Sequence, residues 1–276
     1  MSEGKPTTIR SGRASVSVGL LREIYDFREM FWVLVWRDIR TRYAQSVLGL
    51  GWAIFPAISQ ALIYTLIFGR LVRLDSDGAP YSMFALVGVI PWIFFSQAFN
   101  AACSSVYGNG SFIQKIYFPR VFLPAAAILD KGFDFLVALC VTFIVLCFFG
   151  GDPNWNVVFL PLLILLILVT TLGYGMLIAA VCVHFRDLLH MMGYVTMVLM
   201  YCSPVVYPVS LVPQKWVYFY ALNPMVGIIE GFRCSLLSTK PMPWDLILIS
   251  AIVSFSGLIV GFIYFRATEP KFADVA

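Results

Sequence analysis

"SPVVYPVSLVPQKWVYFYALNP", residues 203–224, holds four prolines (204, 208, 213 and 224), five aromatic side chains (Tyr207, Trp216, Tyr218, Phe219, Tyr220) and a single charge, Lys215. A straight membrane helix does not carry so many prolines, because each lacks an N–H and breaks the hydrogen-bond ladder. A soluble loop is not normally so poor in charge. The stretch therefore asks for a setting in which broken, ring-rich backbone lies beside an apolar span.

Composition supplies that setting. Of 276 residues, 60% are hydrophobic and 12% charged, against about 25% charged in soluble domains; the mean hydropathy is +0.86. A soluble chain has too little interior to hide that much apolar surface, and several runs reach the roughly 20 residues that cross a hydrocarbon core. The reading is an all-α integral membrane protein in contact with membrane lipids. The first 30 residues hold no uninterrupted apolar core, so no cleavable signal peptide is expected. The six cysteines (103, 140, 147, 182, 202, 234) are scattered without a C-x-x-C pair and read as small hydrophobes.

Around the opening stretch the chain divides as follows. Residues 1–15 read as a flexible tail and 16–42 as an amphipathic helix, with Leu20, Ile24, Phe27, Phe31 and Leu34 on one side and Arg22, Asp26, Glu29 and Arg37 on the other. That pattern suits a helix lying in the membrane interface, although an ordinary packed helix has the same periodicity. A membrane domain over 43–268 contains six predicted spans: 47–69, 82–107, 132–149, 157–183, 189–207 and 246–265. A cytoplasmic loop fills 108–131, an external segment 208–245, and a cytoplasmic tail 269–276. Fourteen of the 19 lysines and arginines fall on the side of the termini and five (Arg70, Arg73, Lys215, Arg233, Lys240) on the other. The positive-inside rule then places both termini in the cytoplasm and 203–245 outside. This distribution accounts for the net charge of +4 without nucleic-acid binding.

No catalytic pattern appears. The chain has no G-x-x-x-x-G-K-[ST] phosphate loop and no H-E-x-x-H pattern, and its two histidines, His184 and His190, share a short loop; neither an enzyme nor a metal site is expected. Asp130, Lys131 and Asp134 sit at the mouth of a span, where anchoring or local pairing explains them, and no acidic relay crosses the spans. Rings are the abundant resource: Trp52, Phe55 and Tyr64 in the first span, Trp92, Phe94, Phe95 and Phe99 in the second, Tyr194, Tyr201 and Tyr207 in the fifth. Gly257-x-x-x-Gly261 allows close helix packing.

Four stretches together carry a resemblance. "WRDIRTRYAQSVLGLGWAIFPAI" (36–58), "KIYFPRVFLPAAAILDKGFDF" (115–135), "HFRDLLHM" (184–191) and "SPVVYPVSLVPQKWVYFYALNPMVGIIEGFRCSLL" (203–237) resemble, in order and spacing over about residues 20–270, type 2 ABC exporter permeases for polysaccharides and polyol phosphates. "EPKFADVA" (269–276) is similar to the tail of the O-antigen exporters. The resemblance implies a homodimeric permease of the bacterial inner membrane, bound to two copies of a separate ATPase that would hold ATP and magnesium. It implies export of an undecaprenyl-linked glycan, O-antigen first, capsule or teichoic acid next; the same fold exporting a drug or haem is the alternative. Tyr117, Phe118, Pro119 and Arg120 would form the coupling segment, with Arg186 and Asp187 a second ATPase contact. Re-entrant helices of the external segment would gate a channel carrying Trp52, Phe55, Phe95, Phe99, Tyr201, Tyr207, Trp216, Tyr218, Tyr220, Glu230 and Arg233, the last two pairing at i and i+3.

Overall fold

The computed structural model describes residues 25–44, 46, 49–110, 118–148 and 155–272. The N-terminal tail, the first part of the expected interfacial helix, Tyr117 and the last four residues lie outside them. Among the described residues the chain is helical throughout, with no strand. Five segments are long and apolar enough to cross a membrane: Gly51–Leu71, Tyr81–Gly108, Phe122–Phe148, Trp155–His184 and Trp244–Thr268.

The charge-free run after Pro80 forms α3 (Tyr81–Gly108), the hub of the bundle. Two-thirds of its membrane-spanning window is buried, against a third or less for the other four segments. Before it come α1 (Arg28–Tyr43) and α2 (Gly51–Tyr64), the latter running into a π-helical turn, Thr65–Leu71. After it come α4 (Phe122–Phe148), α5 (Leu160–His184) and α6 (Asp187–Tyr201). Two shorter helices, α7 (Gln214–Tyr220) and α8 (Pro224–Leu237), precede the closing α9 (Trp244–Thr268).

Small residues bring α5 and α9 together. A Cβ added at Gly173 would stand 2.5 Å from the Leu258 nitrogen, and one at Gly257 would meet the Tyr174 ring at 2.9 Å. The Thr170 and Ser254 hydroxyls share a hydrogen bond of 2.7 Å at this contact. Such close backbone approach is how helices associate where lipid competes for apolar surface.

Two expected boundaries are corrected. The predicted span 189–207 is no continuous helix: α6 stops at Tyr201, after 15 residues or about 22 Å, short of a core about 30 Å thick. Pro204, which disfavours helix in the residue before it, explains the stop. The predicted loop 108–131 is helical from Phe122, so α4 begins ten residues before the expected span. Its early turns accept Asp130, Lys131 and Asp134 because α1 neutralises them. The Arg42 guanidinium is bonded to both Asp130 and Asp134, the Tyr43 hydroxyl donates to Asp134, and Lys131 stands 3.7 Å from Asp130. Burial and the adjacent carboxylate push the Tyr43 phenol up to about 12, so it remains a donor throughout the physiological range.

The described part of the interfacial helix is ring-lined on two sides. Phe31 packs on Phe122 at 5.1 Å and Leu34 and Val35 are buried, whereas Trp32 and Trp36 face outward. Replacing Arg42 by alanine leaves Asp130, 5% exposed, without its main cation. Because the Arg42 side chain itself keeps 28% exposure, we expect a loss of about 2–3 kcal/mol rather than the ~3–5 of a fully buried pair. Thermal unfolding in detergent measures it, and adding Asp130→Asn and Asp134→Asn should recover most of the loss.

Candidate functional site

Backbone that leaves helix inside a membrane must find partners for its carbonyls, and the stretch after α6 finds them in side chains. The Tyr207 hydroxyl donates to Tyr201 O at 2.9 Å, and Asn223 Nδ2 to Cys202 O at 2.9 Å. Arg233 Nη2 donates to Val205 O at 2.8 Å, and the Tyr81 hydroxyl to Val206 O at 2.7 Å. Asn223 also caps α8, its Oδ1 accepting from the Met225 amide at 3.1 Å. Pro213 and Pro224 then start α7 and α8, where a missing N–H costs nothing.

The Arg233 guanidinium is the centre of this arrangement. It is 3% exposed and lies 3.6 Å from the centroid of the Phe84 ring, a cation–π contact in a desolvated place. Gly88 leaves room for it, since a Cβ there would stand 2.5 Å from Nη2. Glu230, one turn earlier on α8, places its carboxylate 3.6 Å from Nη1. The expected i, i+3 pair is therefore formed, and it is buried. Twelve of the 14 residues of α8 are buried, so this helix is part of the core.

In front of the non-helical stretch 202–208, the strap, lies a cavity of about 740 Å³ walled almost wholly by apolar groups. Phe95 and Phe99 of α3, stacked at 5.5 Å, and Trp216 and Tyr220 of α7 line it. Tyr207 joins from behind through a 2.9 Å hydroxyl contact to Tyr220. Trp92, Phe219 and Tyr174 also line the wall and were not singled out. The helical period held the signal for two of them, Trp92 standing three residues before Phe95 and Phe219 three after Trp216. Other assigned rings lie elsewhere. Trp52 and Phe55 pack on each other at 5.7 Å on the exposed side of α2, and Tyr201 is exposed. Tyr218 points away from this cavity into a second one of about 570 Å³, whose wall includes the buried Cys234.

At the opposite end, the coupling residues divide by exposure. Phe118 and Pro119 are buried, with Phe118 in a cluster joining α1, α4, α5 and α9. The Arg120 guanidinium turns inward to the Glu269 carbonyl, while Glu269 Oε1 accepts the Arg120 amide at 3.2 Å. Glu269 Oε2 takes Arg266 at 2.7 Å, and Phe272 is sealed against Phe265 at 5.1 Å. Arg186 and Asp187 are exposed where α5 gives way to α6, with the Arg186 guanidinium 5.0 Å from the Tyr107 ring. Among the described residues no cluster of histidine, cysteine or carboxylate side chains suits a metal ion.

These features define a multi-pass, all-helical membrane protein with a ring-walled cavity beside a broken segment and two short helices. Residues 29–237 match the ABC-2 type transporter family, and the chain belongs to it. Similar proteins include the O-antigen export system permease protein RfbA of Myxococcus xanthus, 28% identical over 259 residues, which are 93% of this chain and 99% of that protein. The RfbA protein of Klebsiella pneumoniae is 27% identical over 88% of this chain and 93% of its own length. The polysialic acid transport protein KpsM of Escherichia coli is 25% identical over 71% and 77%.

Gly88→Ala forces Arg233 away from Val205 O and loosens the strap. In a chain whose only cysteine is Cys234, we expect a hydrophilic maleimide to alkylate this buried thiol several-fold faster after the substitution. An unchanged rate would mean that the strap does not depend on Arg233.

Proposed function

We propose that this chain is the membrane-spanning permease of an ATP-driven exporter of lipid-linked polysaccharide. The observation that carries the reading is the cavity wall. Rings present broad apolar faces to the C–H faces of sugars, while the near absence of charge gives no single unit a point at which to lodge. A polymer that must keep moving needs such a surface. Relatives named for O-antigen export and polysialic acid transport support the same substrate class. Undecaprenyl-linked O-antigen is the first choice.

Orientation follows from charge: with the termini cytoplasmic, the strap, α7 and α8 face outward and act as a re-entrant gate. In this reading α6 with the strap completes a sixth crossing. The active unit is a homodimer in the bacterial inner membrane, carrying two ATPase chains that bind ATP and magnesium. Arg186 and Asp187 touch the ATPase directly. Phe118, Pro119 and Arg120 hold the coupling segment from within, and Tyr117 belongs to the same segment.

Deletion of the gene is expected to leave undecaprenyl-linked glycan in the cytoplasmic leaflet and remove it from the cell surface. The wild-type gene should restore export. Arg186→Glu, which reverses an exposed charge without disturbing the core, should not. Normal surface glycan in the deletion strain would overturn the reading and favour a small apolar cargo instead. A second expectation separates wall from fold: Trp216→Ala should reduce glycan export several-fold while permease level and melting temperature stay unchanged.

A further inference from the structure

Two of the six cysteines meet inside the bundle. Cys103 of α3 and Cys182 of α5 place their sulfurs 2.7 Å apart. Ordinary contact begins near ~3.5 Å even between carbon atoms, which are smaller than sulfur. A disulfide bond is roughly 2.05 Å long, so closing one here asks the two sulfurs for about 0.7 Å between them. The helices allow that closeness: a Cβ added at Gly175 of α5 would stand 3.0 Å from the Ala102 Cβ of α3. No second pair of cysteine sulfurs is in contact among the described residues.

Position gives the pair its meaning. Cys103 lies five residues before the end of α3 at Gly108, and Cys182 two before the end of α5 at His184, both within about 8 Å of those ends. With the termini cytoplasmic, these ends face the cytoplasm. Just beyond them the Arg186 guanidinium lies 5.0 Å from the Tyr107 ring, so the same two helices touch again at the exposed edge that carries Arg186 and Asp187. The thiols themselves are buried, which keeps bulky reagents out, yet Ser104, beside Cys103, is exposed. A small oxidant has little depth to cross. Cytoplasmic thiols are held reduced, and the disulfides that do form there are mostly transient and redox-sensing.

We propose that Cys103 and Cys182 are a reversible oxidation site through which cytoplasmic hydrogen peroxide brakes transport. One thiolate attacks a peroxide oxygen and the O–O bond breaks; the sulfur is oxidised to a sulfenic acid, and the departing hydroxide takes up a proton and leaves as water. The second thiol attacks that sulfur, forming the S–S bond and expelling the hydroxyl, with its own proton, as a second water. Two thiols and one peroxide thus give one disulfide and two waters. Exchange with a cellular dithiol reverses the step. The bond fixes the hub helix α3 to α5 directly beneath the Arg186 contact, so movement imposed there has to drag the hub with it. The braking part rests on the ATPase-driven export argued above; the oxidation does not.

The test uses the full chain in lipid nanodiscs, reduced, freed of reductant and exposed to hydrogen peroxide. Mass spectrometry of the non-reduced digest should show two peptides joined through Cys103 and Cys182, two hydrogens lighter than the free pair, and dithiothreitol should release them. Peroxide that oxidises the exposed Cys202 yet leaves Cys103 and Cys182 unlinked would overturn the site, as would links spread equally onto Cys140 and Cys147. In cells, a peroxide pulse should slow the appearance of new surface glycan several-fold with the wild-type gene. It should not do so with Cys103→Ala or, by a second route, Cys182→Ser. Equal slowing in all three would overturn the brake. The two readings fail separately: no link, with glycan lost in the deletion strain, removes the oxidation site alone, whereas glycan retained in the deletion strain removes the export reading and the brake with it.

Discussion

Four carbonyls set the terms for this protein. The backbone at 201, 202, 205 and 206 leaves helix, and Tyr207, Asn223, Arg233 and Tyr81 donate to its carbonyls in place of main-chain amides. In hydrocarbon an unmatched carbonyl costs several kcal/mol, so these donors are conditions of the fold. Two of the four come from other helices, α8 and α3. The broken segment is thus fastened to the bundle through polar side chains, although most of its surroundings are apolar. Burying Arg233 is itself costly, and the Phe84 face, the Glu230 carboxylate and the space left by Gly88 offset that cost.

Helix α3 links that outer arrangement to the other end of the molecule. Its first turns carry Tyr81, Phe84 and Gly88 against the strap, and its middle carries Trp92, Phe95 and Phe99 on the cavity wall. Beyond its last turn, Asn109 accepts from Arg37 of α1 at 3.3 Å. A helix of 28 residues spans about 42 Å. Because so much of it is buried, a displacement at α1 has no soft layer in which to dissipate before reaching the broken segment after α6. The polar anchors at its two ends make α3 a rigid link between α1 and the broken segment.

Much of this was legible in the amino-acid sequence. Charge-free runs revealed the spans because lipid exposure leaves no alternative for so much apolar surface. The prolines at 204, 208, 213 and 224 marked the broken segment because their effect is local. The boundary of α4 was hidden, since Asp130, Lys131 and Asp134 resemble a loop until Arg42, some ninety residues away, is brought beside them. The inward turn of Arg120 was hidden for the same reason: its partner is Glu269. The resemblance placed Trp52 and Phe55 in a channel, and their helix presents both on its exposed side. Periodicity tells which residues share a face; it does not tell what that face meets.

The bond between Arg120 and Glu269 joins residues 149 positions apart. A chain made from its N-terminus produces the coupling segment long before the residue that braces it. Four of the five long apolar helices can be in the bilayer while Arg120 still lacks its mate, and only the emergence of α9 supplies it. Assembly therefore has a built-in order: the segment around Arg120 is braced only once α9 and Glu269 have emerged, so this corner of the fold is among the last to be completed.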